Sequence, residues 1–519
     1  MAWVRVKDAG KLGVSKDLSV HELPLGAWTD AQNIRFLDGY AWQAFGWGQV
    51  YGSIPITPQY ILPCEVSGQK YAILAGSAKV EAVTIVSGVA TYYDLTPTSA
   101  RTGTANNWTG TLLSGIPILN AGDGAHYPMF WNENTGTPFA DLTNWPTSTY
   151  CQSLRAFKNF LIALNVTKGT TTYPYMVKWS DAADPGSLPA SWDQTNPIYL
   201  AGEVDIAEGG DIVVDGLQLR DSFIVYKENS FWRMDFIGGE QVFGFTKVSD
   251  TTGIMNKNCA VEVNGLHFVL TNSDVIVHDG VSEPKSVLDK LTRRYLFHNI
   301  DTAGFGLCFV VKNPFFNEVI VCYPSIGATS CDTGMVWNYK DNTVSFRSLP
   351  HINHAAYGPV SNSLSGDWNQ DSDTWDSDLT EWNGPDFVPD MASVLMASND
   401  PAIYLLDGSA SQNGTAVVSS LTRQGLGFDD DETIKLVRGI RPRIQGNDGQ
   451  TVNVLVGWNN TSPYDPPNWS AAVPFTIGSQ IPVDCMVSGR YIAIQFSSGT
   501  ASQWRLDSYD IDLVPSGRW

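Results

Sequence analysis

One unit recurs along this chain: an apolar strand, a short turn, and a second strand that ends in glycine or polar residues. It starts near residues 70, 115, 159, 222, 264, 317 and 393. The stretch "SFIVYKENSFWRMDF" from Ser222 is its plainest form, turning at Glu228-Asn229-Ser230. "NGLHFVLTNSDVIVHDG" turns at Asn264-Gly265 and Asp279-Gly280, pairs that tolerate the positive φ angles of tight hairpin turns. A small sheet cannot bury both of its faces alone, so units spaced by roughly 50 residues must stack on one another. Radial stacking does this and also protects most strand edges. The pattern predicts an all-β fold, a β-propeller of six or seven blades. A solenoid would demand a more regular period.

The grammar changes near residue 416, and three domains are predicted. Residues 1–60 form an N-terminal arm and hairpin used in assembly, 61–415 the propeller, and 416–519 a C-terminal β-sandwich. In the last, "GIRPRIQGNDGQTVNVLVGW" reads as a hairpin about Asn447-Asp448-Gly449, and alternation at Val452, Val454 and Val456 marks a sheet with one buried face. One helix is predicted, "PKSVLDKLTRRYLFHNI" from Pro284, with Val287, Leu288, Leu291 and Tyr295 at helical spacing. Its Lys285, Lys290, Arg293 and Arg294 are the densest basic cluster, either a solvated face or a docking surface for an acidic neighbour.

A net charge of −21 disfavours sequence-specific binding to nucleic acid. Residues 361–432 hold fourteen acidic residues and one basic, Arg423, so one surface is expected to be negative, whether or not it meets a partner. The seven cysteines form no Cys-x-x-Cys pair, which suits reduced, buried thiols made in a cytoplasm. The N-terminus has no signal-peptide core, and no apolar window approaches the length of a membrane span, so a soluble protein is expected.

Three constellations invite chemistry. Glu203, Asp205 and Glu208 in "EVDIAE" resemble the catalytic strand of retaining jelly-roll glucanases, in which two carboxylates about 5 Å apart act as nucleophile and acid/base. The plainer reading is a turn-rich approach to the strand at Ser222. In "DWNQDSDTWDSDLTEWNGPD", Trp368, Trp375 and Trp382 alternate with Asp371, Asp373, Asp376 and Asp378, which could ligate calcium or simply make turns. His351 and His354 sit three apart, with no cysteine or carboxylate nearby in sequence to complete a zinc set. No residue is therefore assigned a catalytic, cofactor-binding or metal role, no cofactor is expected, and the chain reads as a non-enzyme.

The opening stretch "LPLGAWTDAQNIRFLDGYAWQAFG" resembles the N-terminal signature of tail proteins from short-tailed, podovirus-like bacteriophages. The matching positions are Leu23, Pro24, Gly26, Asp30, Ala31, Asn33, Arg35, Asp38 and Gly39. "VKWSDAADPGSLPASWD", with Trp179, Ser180, Asp181 and Trp192, resembles a middle element of that group, and "GRYIAIQF" and "QWRL" resemble its C-terminal sandwich. The resemblance implies a tail nozzle or tail hub protein, a β-propeller subunit of a homo-hexameric ring in the virion tail, made in the host bacterial cytoplasm. It implies portal and adaptor (head-to-tail connector) proteins as partners, tail fibres or spikes beside them, and a lumen that passes DNA and helps retain and eject the genome. On this view Trp28, Trp42 and Trp47, beside glycines, are read as contacts for a neighbouring subunit, and the acidic 361–432 stretch as part of the lumen lining. The alternatives are a carbohydrate-active or carbohydrate-binding propeller and a tail-fibre attachment adaptor.

Overall fold

A computed structural model describes residues 2–239, 241–288, 291–361, 392–479, 481–500 and 503–518. The chain is all-β, built from several small sheets. Five four-stranded antiparallel sheets follow one another along residues 60–94, 109–141, 149–205, 213–249 and 260–286, each pairing its strands in chain order. The recurring unit seen in the sequence is the heart of each. Ser222–Lys227 and Phe231–Phe236 pair about the turn expected at Glu228-Asn229-Ser230. Asn264 (φ 52°) and Gly265 (φ 75°) make the tight turn between Ala260–Val263 and Leu266–Leu270.

Two further units share one long strand. Phe309–Asn313, Glu318–Tyr323 and Cys331–Asn338 pair in order and end on Thr343–Gly358. That strand breaks register between Ile352 and His354, beside His351 at φ 50°, and its second half pairs with Ser393–Ser398. Ile403–Leu406 follows, and Trp47–Val50 from the N-terminal region completes the seventh unit. The first strands pack on one another in succession: Tyr60–Val66, Thr109–Leu113, Thr149–Phe157, Val213–Leu219, Ala260–Val263 and Phe309–Asn313. Thr343–Gly358 packs on both the last and the first of these.

Two more sheets lie face to face at the C-terminal end. One holds Ile34–Leu37, Tyr40–Gln43, Trp504–Arg518, Thr433–Gly446 and Val483–Gly489, with Ala2–Val6 added beside Trp504–Arg518. The other runs Asp30–Gln32, Ser419–Leu426, Tyr491–Ser498 and Thr451–Asn459, and joins the blade-like units where Gln32 pairs with Phe346. Val452, Val454 and Val456 are buried between the layers, as their alternation implies.

Residues 1–60, expected to form an arm and hairpin used in assembly, pair Ile34–Leu37 with Tyr40–Gln43 as a hairpin about Asp38-Gly39 and supply strands to both C-terminal layers and to the seventh unit. Two expectations need correction. Asn447-Asp448-Gly449 joins no hairpin: Thr433–Gly446 pairs in one layer and Thr451–Asn459 in the other, so the turn carries the chain across the core. The helix from Pro284 shrinks to Arg293–Asn299, with Lys285–Ser286 extended as an outer strand. Pairing with Ile276 and Val277 overrides the weak helical spacing there. Lys290 lies outside the described residues, and Arg293 faces Asp274 at 3.4 Å.

Candidate functional site

Arg35, one of the signature residues of the opening segment, lies in a buried polar hub. Arg35 comes from Ile34–Leu37, packed so tightly that its side chain is 2% exposed. Its Nε donates to Glu318 Oε1 at 2.5 Å, and its Nη2 to Glu318 Oε2 at 3.0 Å and Asp407 Oδ2 at 2.8 Å. The guanidinium lies 3.5 Å from the centroid of the Phe316 ring. Arg347 donates to Asp407 Oδ1 at 3.2 Å and to the Phe45 carbonyl at 3.0 Å, and Asn313 donates to Asp407 Oδ2 at 2.8 Å. Burial alone would push the Asp407 carboxyl up, but Arg347 and Arg35 outweigh it and hold the group below the ordinary carboxylate value. One cluster thus ties the N-terminal hairpin to the sixth and seventh units.

Other residues of the N-terminal segment are also tied into the fold. Asn33, at φ 53°, donates to the Val418 carbonyl and accepts from Ser348 N, both within 2.9 Å. Trp28 is 1% exposed, donates from Nε1 to the Ala9 carbonyl at 2.6 Å, and packs on Phe496 and Tyr509. Trp47 is 8% exposed, and Trp42 is half-buried under Arg505. Trp28 and Trp47 are therefore spent inside this chain and cannot serve a neighbouring subunit, which corrects the sequence reading. Sequence could place an aromatic beside a glycine but not say which surface it fills.

A second cluster fills the place where the first strands meet. Arg155 Nε and Nη2 grip both oxygens of Asp215, at 2.9 and 2.6 Å, and Nη2 also donates to Asn258 Oδ1 at 2.8 Å. Arg155 Nη1 reaches the Gly110 carbonyl at 3.2 Å, and Ser153 Oγ donates to Asp215 at 2.6 Å. Burial would raise the Asp215 carboxyl, yet Arg155 holds it low. His354 stacks on Tyr60 at 4.1 Å, and burial, aided by Arg155, drives its imidazole down to about 3. His354 is thus a neutral core group, while His351 Nδ1 lies 3.4 Å from Ser330 Oγ. No sequence signal flagged Arg155 or Asp215, because the cluster draws on four separated segments, at Gly110, Ser153–Arg155, Asp215 and Asn258.

The carboxylates of "EVDIAE" are occupied. Glu203 accepts from Lys168 at 2.6 Å and Lys178 at 2.9 Å. Burial would lift its carboxyl, but the two lysines hold it below the ordinary value, the wrong direction for a general acid. Glu208 faces Lys247 at 3.1 Å, and its backbone carbonyl, like that of Ile206, caps the fully buried Lys227. Asp205 is exposed. Among the described residues no group of three or more His, Cys, Asp or Glu could hold a metal, and all seven cysteines are buried and unbridged. The aspartates and tryptophans of 367–386 lie outside the described residues. In the acidic 361–432 stretch, Asp407 is buried in the hub and cannot line a surface. No helix among the described residues is long and apolar enough to cross a membrane.

No protein-family model matches the chain, and no curated protein does either. One solved structure that resembles it is PorZ, an essential bacterial surface component of the type-IX secretion system of Porphyromonas gingivalis. The identity is 7%, the TM-score 0.35, and the likeness covers 76% of this chain and 44% of that one, so the chain spans less than half of its length.

Proposed function

We propose that the chain folds as a seven-bladed β-propeller carrying a two-layered β-sandwich, and that it is a non-enzymatic, ring-forming subunit of a short phage tail nozzle. Seven successive antiparallel units support the architecture, together with first strands whose contacts lead back to the first unit. The observation that carries the functional reading is the hub: Arg35, a residue of the tail-protein signature, ties the N-terminal hairpin to the sixth and seventh units, and Asn33 beside it bonds Ser348 and the Val418 carbonyl. A conduit subunit needs rigid flanks for heterologous ring contacts more than it needs a pocket. The glycosidase reading lacks an acid, since two lysines hold Glu203 ionised and Glu208 faces Lys247.

The remaining partners follow from the resemblance: portal and adaptor proteins above, fibres or spikes at the side, and DNA passing without sequence-specific contact. Repulsion by acidic side chains at the lumen acts over only about 8 Å at physiological salt, which suits a lining. Negative-stain imaging of the purified protein should show rings, and pull-down should capture an adaptor complex. Persistent monomers that bind no adaptor would overturn the proposal.

A further inference from the structure

The sheet that holds Trp504–Arg518 buries one face and exposes the other. Along Val483–Gly489 the side chains of Val483, Cys485 and Val487 point inward, and those of Asp484, Met486 and Ser488 outward, with Met486 77% exposed. The same outer face carries four arginines from two strands. Arg5 Nε meets Asp510 Oδ1 at 2.8 Å, and Arg443 Nη2 meets Asp510 Oδ2 at 2.6 Å. Arg438 Nη2 meets Asp512 Oδ2 at 2.7 Å, and the Arg441 guanidinium lies 4.7 Å from the centroid of the exposed Trp3 ring.

The carboxylates sit low and the guanidiniums high: the Asp510 side chain is 3% exposed, while that of Arg5 is 54% exposed. Arg443 and Arg5 hold the Asp510 carboxyl down to about 2, so this pedestal stays charged throughout the neutral range. The buried Asp510 and Asp512 account for Arg5, Arg443 and Arg438, whose loss would leave a buried carboxylate unpaired, but not for Arg441. What the pedestal does achieve is to hold planar guanidiniums in fixed positions, with Arg441 bearing no carboxylate partner among the described residues. With the Arg505–Asp507 pair of the same sheet, five guanidiniums stand against four carboxylates (Asp484, Asp507, Asp510 and Asp512) in a chain of net charge −21.

The complementary surface is in the same sequence. Residues 362–391 contain eight acidic residues, no basic residue, and Trp368, Trp375 and Trp382. They lie outside the described residues, but their attachment is defined. They follow the end of Thr343–Gly358, whose beginning pairs through Phe346 with the C-terminal layers. The stretch leaves the far end of that strand, at most about 50 Å from Thr343, and the self-assembly proposed above supplies the second copy that it would meet. Tryptophan and arginine are also the side chains that dominate interface energies.

We propose that the arginine face of one copy docks the acidic, tryptophan-bearing stretch 362–391 of a second copy. This rests on the self-assembly part of the function proposed above, and not on the phage tail itself. The test replaces Met486, in the full-length chain, with the photoreactive p-benzoylphenylalanine, and uses Ser488 as a second exposed position on the same strand. Light and heavy isotope-labelled protein are mixed, irradiated and mapped by mass spectrometry. Heavy–light crosslinks should fall within 362–391, and R5E/R441E should lower their yield about tenfold. Crosslinks confined to one copy, crosslinks elsewhere, or a yield indifferent to the two arginines would overturn the docking. Rings with crosslinks elsewhere would remove only this proposal, whereas monomers with no heavy–light crosslink would remove self-assembly as well.

Discussion

At Arg35 a single guanidinium satisfies two carboxylates from different units and stacks on the ring of Phe316, two residues before Glu318. Replacing it by methionine leaves Glu318 buried without its bidentate partner. Breaking one side of a buried ion pair costs about 3–5 kcal/mol, so Arg35→Met should lower the urea midpoint strongly while keeping the volume filled. A second residue-scale device is the chain of hydrogen bonds through Tyr226. Gly280 N donates to His278 Nδ1, which leaves His278 Nε2 to donate to Tyr226 Oη at 2.7 Å. The Tyr226 hydroxyl then donates to His267 Nδ1 at 2.8 Å, and His267 Nε2 to the Gln218 carbonyl at 2.9 Å. Burial depresses His267 to about 4 and His278 to about 3, from the ordinary 6.5, and the nearby Glu262 and Asp279 only partly oppose this. With the folded values lower, the unfolded chain binds more protons below pH 6.5. The contribution is fully present above that pH and is lost on acidification toward 4. Denaturant midpoints measured across this window should fall as pH falls, and Tyr226→Phe, by orphaning two ring nitrogens, should cost about 1–3 kcal/mol at neutral pH.

At the scale of elements, the tight turns were the legible part. Asn264-Gly265 announces its hairpin because two consecutive positive φ angles select those residues almost uniquely. The C-terminal layers were half legible: alternating valines give the buried face but not the partner strand, so Asn447-Asp448-Gly449 looked like a hairpin. The N-terminal strands were illegible in their role. Nothing local in Asp30–Gln32 says that it pairs with Ser419–Leu426, nearly four hundred residues away. The hub escaped for the same reason, since Arg35, Glu318, Arg347 and Asp407 meet only once the chain is folded. This pairing makes a prediction that separates a strand donor from an arm. Removing residues 1–46 deletes four strands from the two C-terminal layers. The truncated chain should be insoluble or melt without a cooperative transition by circular dichroism, whereas a dispensable arm would leave melting unchanged. A finer probe is Gly46→Ala, whose new methyl would sit 2.0 Å from the Ser411 carbonyl oxygen. Backbone must move to admit it, so the melting temperature should drop by several degrees.

For the molecule as a whole, the hydrophobic interior decides whether the successive small sheets and the C-terminal layers behave as one body. A single buried cluster runs from Tyr226 and Phe268 through Val319 and Phe346 to Val437, Ile494 and Tyr509. It therefore crosses from the fourth unit to both C-terminal layers without a gap, and the Arg35 hub stitches the same junction with charge. A chain of 519 residues would ordinarily split into domains that melt separately. Here the continuity of the core argues for one dominant calorimetric transition, because neither part can lose its face of the cluster without exposing the other's. Scanning calorimetry of the intact chain should show one main endotherm. Arg35→Met weakens the electrostatic stitch but leaves most of the shared apolar surface, so it should lower that endotherm before dividing it. Adding Phe346→Ala removes packing from the centre of the junction, and the double variant should show two resolved transitions. Two transitions in the unmodified chain would mean that the cluster, though continuous, is too weakly packed at Phe346 to transmit stability, and the rigid body proposed for a ring subunit would lose its physical basis.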